Sequence, residues 1–320
     1  MDWLLPKISN VSWGLIGCMG TEDRSLEVYR RLVGKLGTPK LFNIRDEDFK
    51  YSESTKSILE DRLKEVSNIA ENGASNIVED HELLETHNEI LCPVEDYISG
   101  KQDVILDVSS MPKRFFFPIL KILFNSDHIR NLIVTYTVPK SYKTGGLSEN
   151  FTHWAHLPLF SGGGDDYGKE PETLVIGVGF GTMGIPQALS PDGHGIPIKL
   201  LLPFPAPLSS VRRAWEFVRN IEKGRSKEGE NLEVIRVEAK NPSDTFDSLC
   251  TLSNQGKREI ELAPFGPKTV SVAMCIYATL TESEVFYTQP KRYAPDYSTG
   301  VSEVFAYAIK LNGHRFYSLQ

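Results

Sequence analysis

The 320-residue chain lacks the features that would mark it as a membrane or secreted protein. No apolar run approaches the roughly 20 residues that a membrane-spanning helix needs. Its first ten residues, MDWLLPKISN, lack the basic start and long apolar core of a secretory signal. From these absences we expect a cytoplasmic protein with no membrane partner.

Cysteine and histidine are scarce, and their spacing does not suggest a metal centre. The four cysteines are Cys18, Cys92, Cys250 and Cys275. Each lies in an apolar context, so we expect buried free thiols in a reducing compartment. His153 and His156 are three residues apart, but no third ligand accompanies them. We therefore predict no metal and no cofactor.

Positive charge is not concentrated anywhere in the chain. The formal net charge is −7, and both halves carry more acidic than basic residues. Binding of polymeric nucleic acid through its backbone needs clustered lysine and arginine, so this partner is disfavoured. A small anionic ligand held by a few lysines remains compatible with the composition.

What the chain does contain is a repeat. YTVPKSYKTGGLSENF at 136–151 recurs at 287–305 as YTQPKRYAPDYSTGVSEVF. The gap between Tyr293 and Thr299 is four residues longer than the matching gap between Tyr142 and Thr144. MPKR at 111–114 is echoed by GPKT at 266–269, and LIGCMGT at 15–21 by VIGVGFGT at 175–182. Matches in the same order indicate a duplicated structural unit. We predict a first domain at 1–160, a Gly/Asp linker at 161–171 and a second domain at 172–320.

Both halves alternate short apolar runs with amphipathic stretches, which is typical of α/β proteins with parallel sheets covered on both faces. We predict two tandem Rossmann-like domains related by internal duplication. Details of this prediction include a helix that opens at 22–25 and stops at Gly37, a strand at 76–78 and a helix at 81–98. An apolar helix is predicted at 115–124 and a β-branched strand at 131–137. The stretch 179–197 is too rich in Gly and Pro for a full crossover helix. The C-terminus predicts a β-hairpin with Asn312-Gly313 as its turn.

Parallel sheets bind ligands beyond the carboxyl ends of their strands, near helix N-termini. This rule selects the turns 17–25 and 107–113 and the segment 137–142. In the second turn, Asp107 is suited to orienting a hydroxyl, the two serines to capping the next helix, and Lys113 to attracting an anion. The alternative is a plain helix cap with a surface lysine.

The pattern D-x-S-x-x-x-K after the fourth strand resembles the motif of CRISPR-associated Rossmann-fold (CARF) domains. That resemblance implies sensing of cyclic or linear oligonucleotide second messengers, usually across a two-fold dimer interface, with Asp107, Ser109 and Lys113 as the matching residues. The second copy keeps Lys268 but has Leu262 and Pro264 in place of the acid and the serine. No effector domain is recognisable, so the expected partner is a separate protein that carries the effector activity.

The repeated YTxPKxY segment places a lysine and two tyrosines after the last main strand of each copy. This composition suits a phosphate contact and a stacking face for a base. The alternative is a turn that packs one repeat on the other. The candidate ligand-binding residues here are Thr137, Lys140, Tyr142, Thr288, Lys291 and Tyr293. If the copies pack around a pseudo-two-fold axis, Lys113, Lys140, Lys268 and Lys291 converge.

Two further turns carry candidate ligand-binding residues. Gly179 and Gly181 match the dinucleotide spacing GxGxxG, but prolines interrupt the following helix and no acidic residue ends the next strand. Asp23 and Arg24 are candidates for the pocket rim, although acids in a first helical turn are also favoured by the helix dipole.

Together these patterns predict a sensor of a small nucleotide-type anion in an antiviral or stress-signalling system, with no catalytic residue assigned. One alternative is an enzyme acting on a nucleotide, either using NAD or cleaving its own ligand as a phosphodiesterase. Another is a scaffold subunit without a ligand.

Overall fold

A computed structural model of the chain describes residues 1, 3–4, 13–46, 52–69, 78–143, 146–162, 171–182, 185, 196–206, 208–224 and 232–320. Most of the predicted linker and the stretch 186–195 lie outside these residues. Among the described residues, no helix is both long enough and apolar enough to cross a bilayer.

Seven α-helices lie in this part of the chain, and a 3₁₀ turn at Asp23–Leu26 precedes the first. They are α1 (Glu27–Leu32), α2 (Glu53–Ile69), α3 (His87–Ile98), α4 (Lys113–Asn125), α5 (Leu208–Gly224), α6 (Pro242–Leu252) and α7 (Lys268–Thr281).

The strands of the first half are β1 (Gly14–Met19), β2 (Lys40–Arg45), β3 (Val78–Glu82), β4 (Asp103–Asp107), β5 (Asn131–Thr137), β6 (Ser141–Tyr142), β7 (Ser148–Phe151) and β8 (Ala155–His156). Those of the second half are β9 (Thr173–Gly177), β10 (Ile198–Phe204), β11 (Leu232–Glu238), β12 (Ile260–Pro264), β13 (Phe286–Tyr287), β14 (Pro290–Tyr293), β15 (Ser298–Thr299), β16 (Val304–Leu311) and β17 (His314–Arg315).

The chain divides into two compact units, each with a contribution from both halves of the sequence. Unit 1 comprises Met1–Asn150 with Pro290–Phe316, and unit 2 comprises Phe151–Gln289 with Tyr317–Gln320. This division differs from two contiguous domains, since residues 290–316 pack in unit 1. The physical reason is strand pairing: β16 runs antiparallel to β5, from Val304 opposite Thr137 to Lys310 opposite Leu132.

Unit 1 is built on a seven-stranded sheet in the order β17-β16-β5-β4-β1-β2-β3. Its strands β1 to β5, all from the first half of the sequence, are mutually parallel, and β16 and β17 add an antiparallel edge. β1, β4 and β5 are buried along nearly their whole length, as expected for parallel strands covered on both faces. Two short pairs, β14 with β7 and β15 with β6, join residues 290–299 to the segment after β5.

Unit 2 repeats the parallel part of this order. Its sheet runs β11-β10-β9-β12, and all neighbours are parallel. A parallel bridge between Leu262 and Val285 adds the strand that continues into β13, and β8 pairs antiparallel with β13. The α/β class and the Rossmann-like parallel sheets predicted from the sequence are therefore confirmed.

Several local predictions need correction. The predicted helix at 81–98 is wrong in its first part, because β3 continues to Glu82 and α3 begins at His87. Thr86 and Glu89 form a capping box that fixes this start: the Thr86 hydroxyl accepts from the Glu89 backbone N–H, and the Glu89 carboxylate accepts from that of Thr86. The helix predicted from 22 to Gly37 is a 3₁₀ turn followed by the short α1.

The C-terminal hairpin is confirmed. β16 and β17 pair antiparallel, with Leu311 opposite His314. Asn312 and Gly313 both have positive φ, at 53° and 82°. This is the backbone that a two-residue type I′ turn requires, and Asn-Gly adopts it at low cost.

Candidate functional site

The strand order of unit 1 places a topological switch point between β1 and β4. From there the chain winds through β2 and β3 on one side and through β5 on the other. Ligands of such sheets bind in the crevice beyond the carboxyl ends of the two strands at the switch point, here β1 and β4. The turn after β1 and the turn after β4 meet at this point. The Ser110 hydroxyl donates to the Cys18 carbonyl at 3.0 Å and holds the two turns together.

A buried polar network lies at the end of β4. Asp107 is 3% exposed. Its Oδ1 accepts hydrogen bonds from the Ser109 hydroxyl at 2.5 Å, the Thr135 hydroxyl at 3.2 Å and the Ser109 backbone N–H at 3.3 Å. The Ser109 hydroxyl in turn accepts from the Thr137 backbone N–H at 2.8 Å. The carboxylate therefore sets the conformation of the turn and ties it to the end of β5.

Burial is the largest influence on the pKa of Asp107. Burial raises the pKa of this carboxyl to about 6, although the hydrogen bonds from Ser109 and Thr135 and the charge of Arg24 lower it. Because removal from water disfavours the charged form, this carboxyl holds its proton at mildly acidic pH.

Helix α4 begins directly after this turn without a side-chain cap. Its N-cap residue is Pro112, which makes no side-chain cap hydrogen bond, and no acidic residue lies in its first turn. The backbone N–H groups of Phe115 and Phe116 donate to the Pro112 carbonyl, each at 3.0 Å. The prediction that the serines cap this helix is wrong, because both hydroxyls bind neighbouring strands instead. An uncapped helix N-terminus attracts anions.

Lys113 is the first residue of α4 and is half-buried. Burial lowers the pKa of its ammonium group to about 7. The lysine is therefore close to half-protonated at neutral pH, and an approaching anion would favour its charged form.

Thr137 lies at the carboxyl end of β5 and is fully buried. Alternate residues of a strand point to the same face, so its side chain shares a face with Thr135, which reaches Asp107. The Thr137 Oγ1 atom makes no hydrogen bond with any described residue. A buried hydroxyl without a partner is costly, and a ligand atom would satisfy it.

Arg24 connects the end of β5 to the turn after β1. It is 3% exposed and forms an ion pair with Glu22, with Nη2 at 2.9 Å from Oε2. Its Nη1 donates to the Thr137 carbonyl at 3.3 Å and the Tyr136 hydroxyl at 3.4 Å. This places Arg24 beneath the surface as an anchor of the turn, whereas we expected it at the rim of a pocket.

Residues 290–300, which we name the strap, belong to unit 1 and contact the same turn. Asp23, half-exposed, accepts from the Gly300 backbone N–H at 2.8 Å. The Lys140 side chain is exposed, and its backbone N–H donates to the Gly300 carbonyl. The Tyr142 hydroxyl lies 3.1 Å from that of Tyr136. Lys291 and Tyr293, candidates from the second copy, are half-buried strap residues.

The corresponding place in unit 2 is apolar. Helix α7 begins at Lys268 after Pro267, again without a side-chain cap. However, a Cβ atom at Gly179 would lie 2.1 Å from the Phe265 carbonyl oxygen, so the two turns touch through their backbones. The Phe265 ring lies nearly parallel to the indole of Trp154, with centroids 6.1 Å apart. Gly179 therefore serves close packing at this crevice.

The remaining candidates of unit 2 are Gly181, whose Cβ position meets nothing within 4 Å, and Thr288, which is buried. Met183 and Gly184, the end of the dinucleotide-like turn, lie outside the described residues. Lys113, Lys140 and Lys291 belong to unit 1 and Lys268 to unit 2. Convergence of the four lysines stays a prediction.

Sequence reasoning missed two residues at this edge of unit 1, Tyr297 and Ser298, whereas Glu22 lies in the selected turn 17–25 and Tyr136 in the first YTxPKxY segment. Glu22 accepts from both Arg24 and the Ser298 hydroxyl. Tyr297 and Ser298 lie in the gap that follows the second YTxPKxY segment, which is four residues longer than the gap after the first. That insertion was the available signal, because an addition to a repeat often carries a function of its own.

Among the described residues, no group of three or more His, Cys, Asp or Glu side chains could hold a metal ion. No family model and no curated protein matches the chain. Among solved structures, the chain is similar to a putative universal stress protein from Pseudomonas aeruginosa, with 13% identity, 89% of this chain and 95% of that chain covered, and a TM-score of 0.23. At that TM-score, nothing about ligand or activity follows.

Proposed function

We propose that this chain is a binding protein that senses a small anionic, nucleotide-type ligand at the switch point of unit 1. The observation that carries the proposal is the start of α4: an uncapped helix N-terminus with Lys113 as its first residue. The unpartnered, buried Thr137 hydroxyl at the end of the adjacent strand is an independent indication of a missing ligand atom.

A phosphate group fits this chemistry. Backbone N–H groups in the first turn of a helix and a lysine at its start are elements that hold phosphate at many helix N-termini. The pKa of Lys113, lowered to about 7 by burial, makes such binding proton-linked, because pairing with an anion restores the charged form.

The candidate site is asymmetric between the units. At the sequence positions of Asp107 and Ser109, unit 2 has Leu262 and Pro264, and its turn is closed by the contact between Gly179 and Phe265. We therefore expect the polar site of unit 1 to be the one that binds ligand. Lys268 remains a candidate only for a peripheral contact.

Internal duplication is part of the proposal, and the topology supports it. The order β3-β2-β1-β4-β5-β16 in unit 1 has the counterpart β11-β10-β9-β12 followed by β13-β8 in unit 2. In both, the strand that follows the last parallel strand is antiparallel and comes from the other half of the chain. The CARF resemblance of Asp107, Ser109 and Lys113 agrees with this account, in which ligand binding is passed to a separate effector protein.

Titration calorimetry with cyclic di-, tri-, tetra- and hexa-nucleotides of adenine and guanine tests the proposal. We expect at least one member to bind, and Lys113→Met to weaken that binding at least tenfold. Lys121→Met, two turns further along α4, is the matched control and should bind as the parent does. Absence of binding across the panel, or equal binding by Lys113→Met, would refute the proposal.

A further inference from the structure

A buried histidine lies against the first turn of α4. His81, on β3, is 5% exposed. Its ring meets that of Phe115 edge to face with centroids 5.9 Å apart, and it packs against that of Phe42, on β2, at 4.6 Å. Phe115 is the third residue of α4, two positions after Lys113. His81 therefore lies beside the helix start that carries the proposed function.

Only one of the two ring nitrogens of His81 has a hydrogen-bond partner among the described residues. Nδ1 lies 2.6 Å from Glu85 Oε2, and Nε2 makes no hydrogen bond. An ionised carboxylate can only accept, so in the neutral ring we assign the hydrogen to Nδ1. Nε2 is then a buried acceptor without a donor, which costs free energy.

Protonation of His81 removes this cost. Nε2 then carries a hydrogen, and Glu79 Oε1 lies 3.7 Å away, close enough to accept it after a small side-chain movement. The charged ring would lie between the carboxylates of Glu79 and Glu85. Glu89, on α3, is also near enough to interact with the charge of the ring. Lys40, on β2, pairs with the other carboxylate oxygen of Glu79.

The loop after β3 connects His81 to the start of α4. Glu85 accepts from the histidine ring through its side chain, and its backbone carbonyl accepts from Arg114 Nη2 at 2.7 Å. Arg114 follows Lys113 in the first turn of α4. A charged ring holds the Glu85 carboxylate more strongly than a neutral ring, because an ion pair is added to the hydrogen bond. Protonation therefore fixes the loop and, through Arg114, the first turn of the helix.

We infer that His81 is a proton-dependent positioning residue, whose protonation fixes the start of α4 and strengthens binding of the ligand phosphate. This inference rests on the proposed function and adds a regulation to it, because mildly acidic conditions would favour the bound state. The positive charge beside the first turn of α4 acts in the same direction, since it attracts an anion.

Calorimetry at pH 5.5 and pH 7.5 tests the inference, because histidines ordinarily change charge between about pH 5 and pH 8. The probe is the tightest-binding cyclic oligonucleotide of the panel described above, whose phosphodiesters do not titrate in this range. Lys113 and Asp107 titrate in parent and variant alike. We expect tighter binding at pH 5.5 in the parent, and a ratio of the two dissociation constants that is about five times smaller in His81→Gln.

Two further variants complete the test. His87→Gln is the matched control: it removes an exposed histidine at the first residue of α3 and should keep the ratio of the parent. Glu79→Gln removes the charge that faces Nε2 and should also reduce the ratio. Because Glu79 is only half-buried, this variant decides the outcome if His81→Gln fails to fold.

The outcomes are distinguishable. If His81→Gln keeps the ratio of the parent, the inference is refuted and the proposed function stands. Weaker binding by an equal factor at both pH values also refutes it, because that result indicates a purely structural role. If no panel member binds the parent chain, the proposed function fails and the inference fails with it.

Discussion

Replacing Asp107 with asparagine provides a test of how unit 1 tolerates a buried carboxyl at the candidate site. The pKa of Asp107 is about 6 in the fold, against 3.8 for the exposed group. A pKa raised by folding means that the protonated form is favoured in the native state. The associated stability is fully present below the unfolded pKa and is lost as the pH rises through about 6.

From these two pKa values, ionisation of Asp107 removes about 2 kcal/mol of stability between pH 4.5 and pH 8. Asparagine keeps an oxygen to accept from the Ser109 and Thr135 hydroxyls but carries no charge at any pH. The Asp107→Asn variant should therefore gain stability relative to the parent by about 2 kcal/mol as the pH rises over this range.

Urea unfolding followed by tryptophan fluorescence measures this difference. In a Trp154→Phe, Trp215→Phe background, the two remaining tryptophans, Trp3 and Trp13, both belong to unit 1. Asp103→Asn is the matched control: Asp103 lies half-buried at the other end of β4 and accepts from Asn131. If the stability difference between Asp107→Asn and the parent is the same at both pH values, the reasoning is refuted.

Three further predictions follow from the same contacts. Because the pKa of Lys113 is about 7, affinity for a phosphate ligand should fall by about fivefold between pH 7 and pH 8. Lys113→Arg, which stays charged, should lose this dependence in calorimetry. Gly179→Ala forces a Cβ to within 2.1 Å of the Phe265 carbonyl oxygen and should cost about 3 kcal/mol in urea unfolding, while Gly181→Ala, with open space around it, should be neutral. Lys310→Met removes the ammonium that donates to the carbonyls at the end of α4 and should cost about 1–3 kcal/mol by the same measurement; an unchanged midpoint would contradict the capping role.

Much of the fold could be predicted because local signals agreed with the tertiary outcome. β5 has the predicted bounds 131–137, since its continuous β-branched and aromatic run suits a strand buried on both faces. α4 was predicted from its apolar residues and begins two positions earlier, at Lys113. The hairpin turn at Asn312-Gly313 was predicted because Asn-Gly readily adopts two positive φ angles in succession.

The wrong secondary-structure predictions arose where one local sequence pattern was compatible with two structures. The acidic stretch from 81 to 98 has helical spacing throughout, but Thr86 and Glu89 form a capping box that begins the helix later. That T-x-x-E signal was present in the sequence. His81 belongs instead to β3, where its ring packs against Phe42 with centroids 4.6 Å apart.

The crossing of residues 290–316 into unit 1 had no local signal. The sequence of β16 predicts a strand, but its partner is decided by which sheet edge is open, and β5 pairs with it across more than 160 residues. For the same reason the strap, and with it Tyr297, was missed as part of the candidate site. The role of Ser109 was also hidden, because a serine before a helix suits a cap and a strand contact equally well.

A crystal structure of the chain with a bound cyclic oligonucleotide tests the central claim most directly. The account predicts a phosphate within hydrogen-bond distance of the first-turn amides of α4 and of Lys113 Nζ, at the switch point of unit 1. A ligand phosphate bound elsewhere, with the start of α4 in contact only with water, would contradict it.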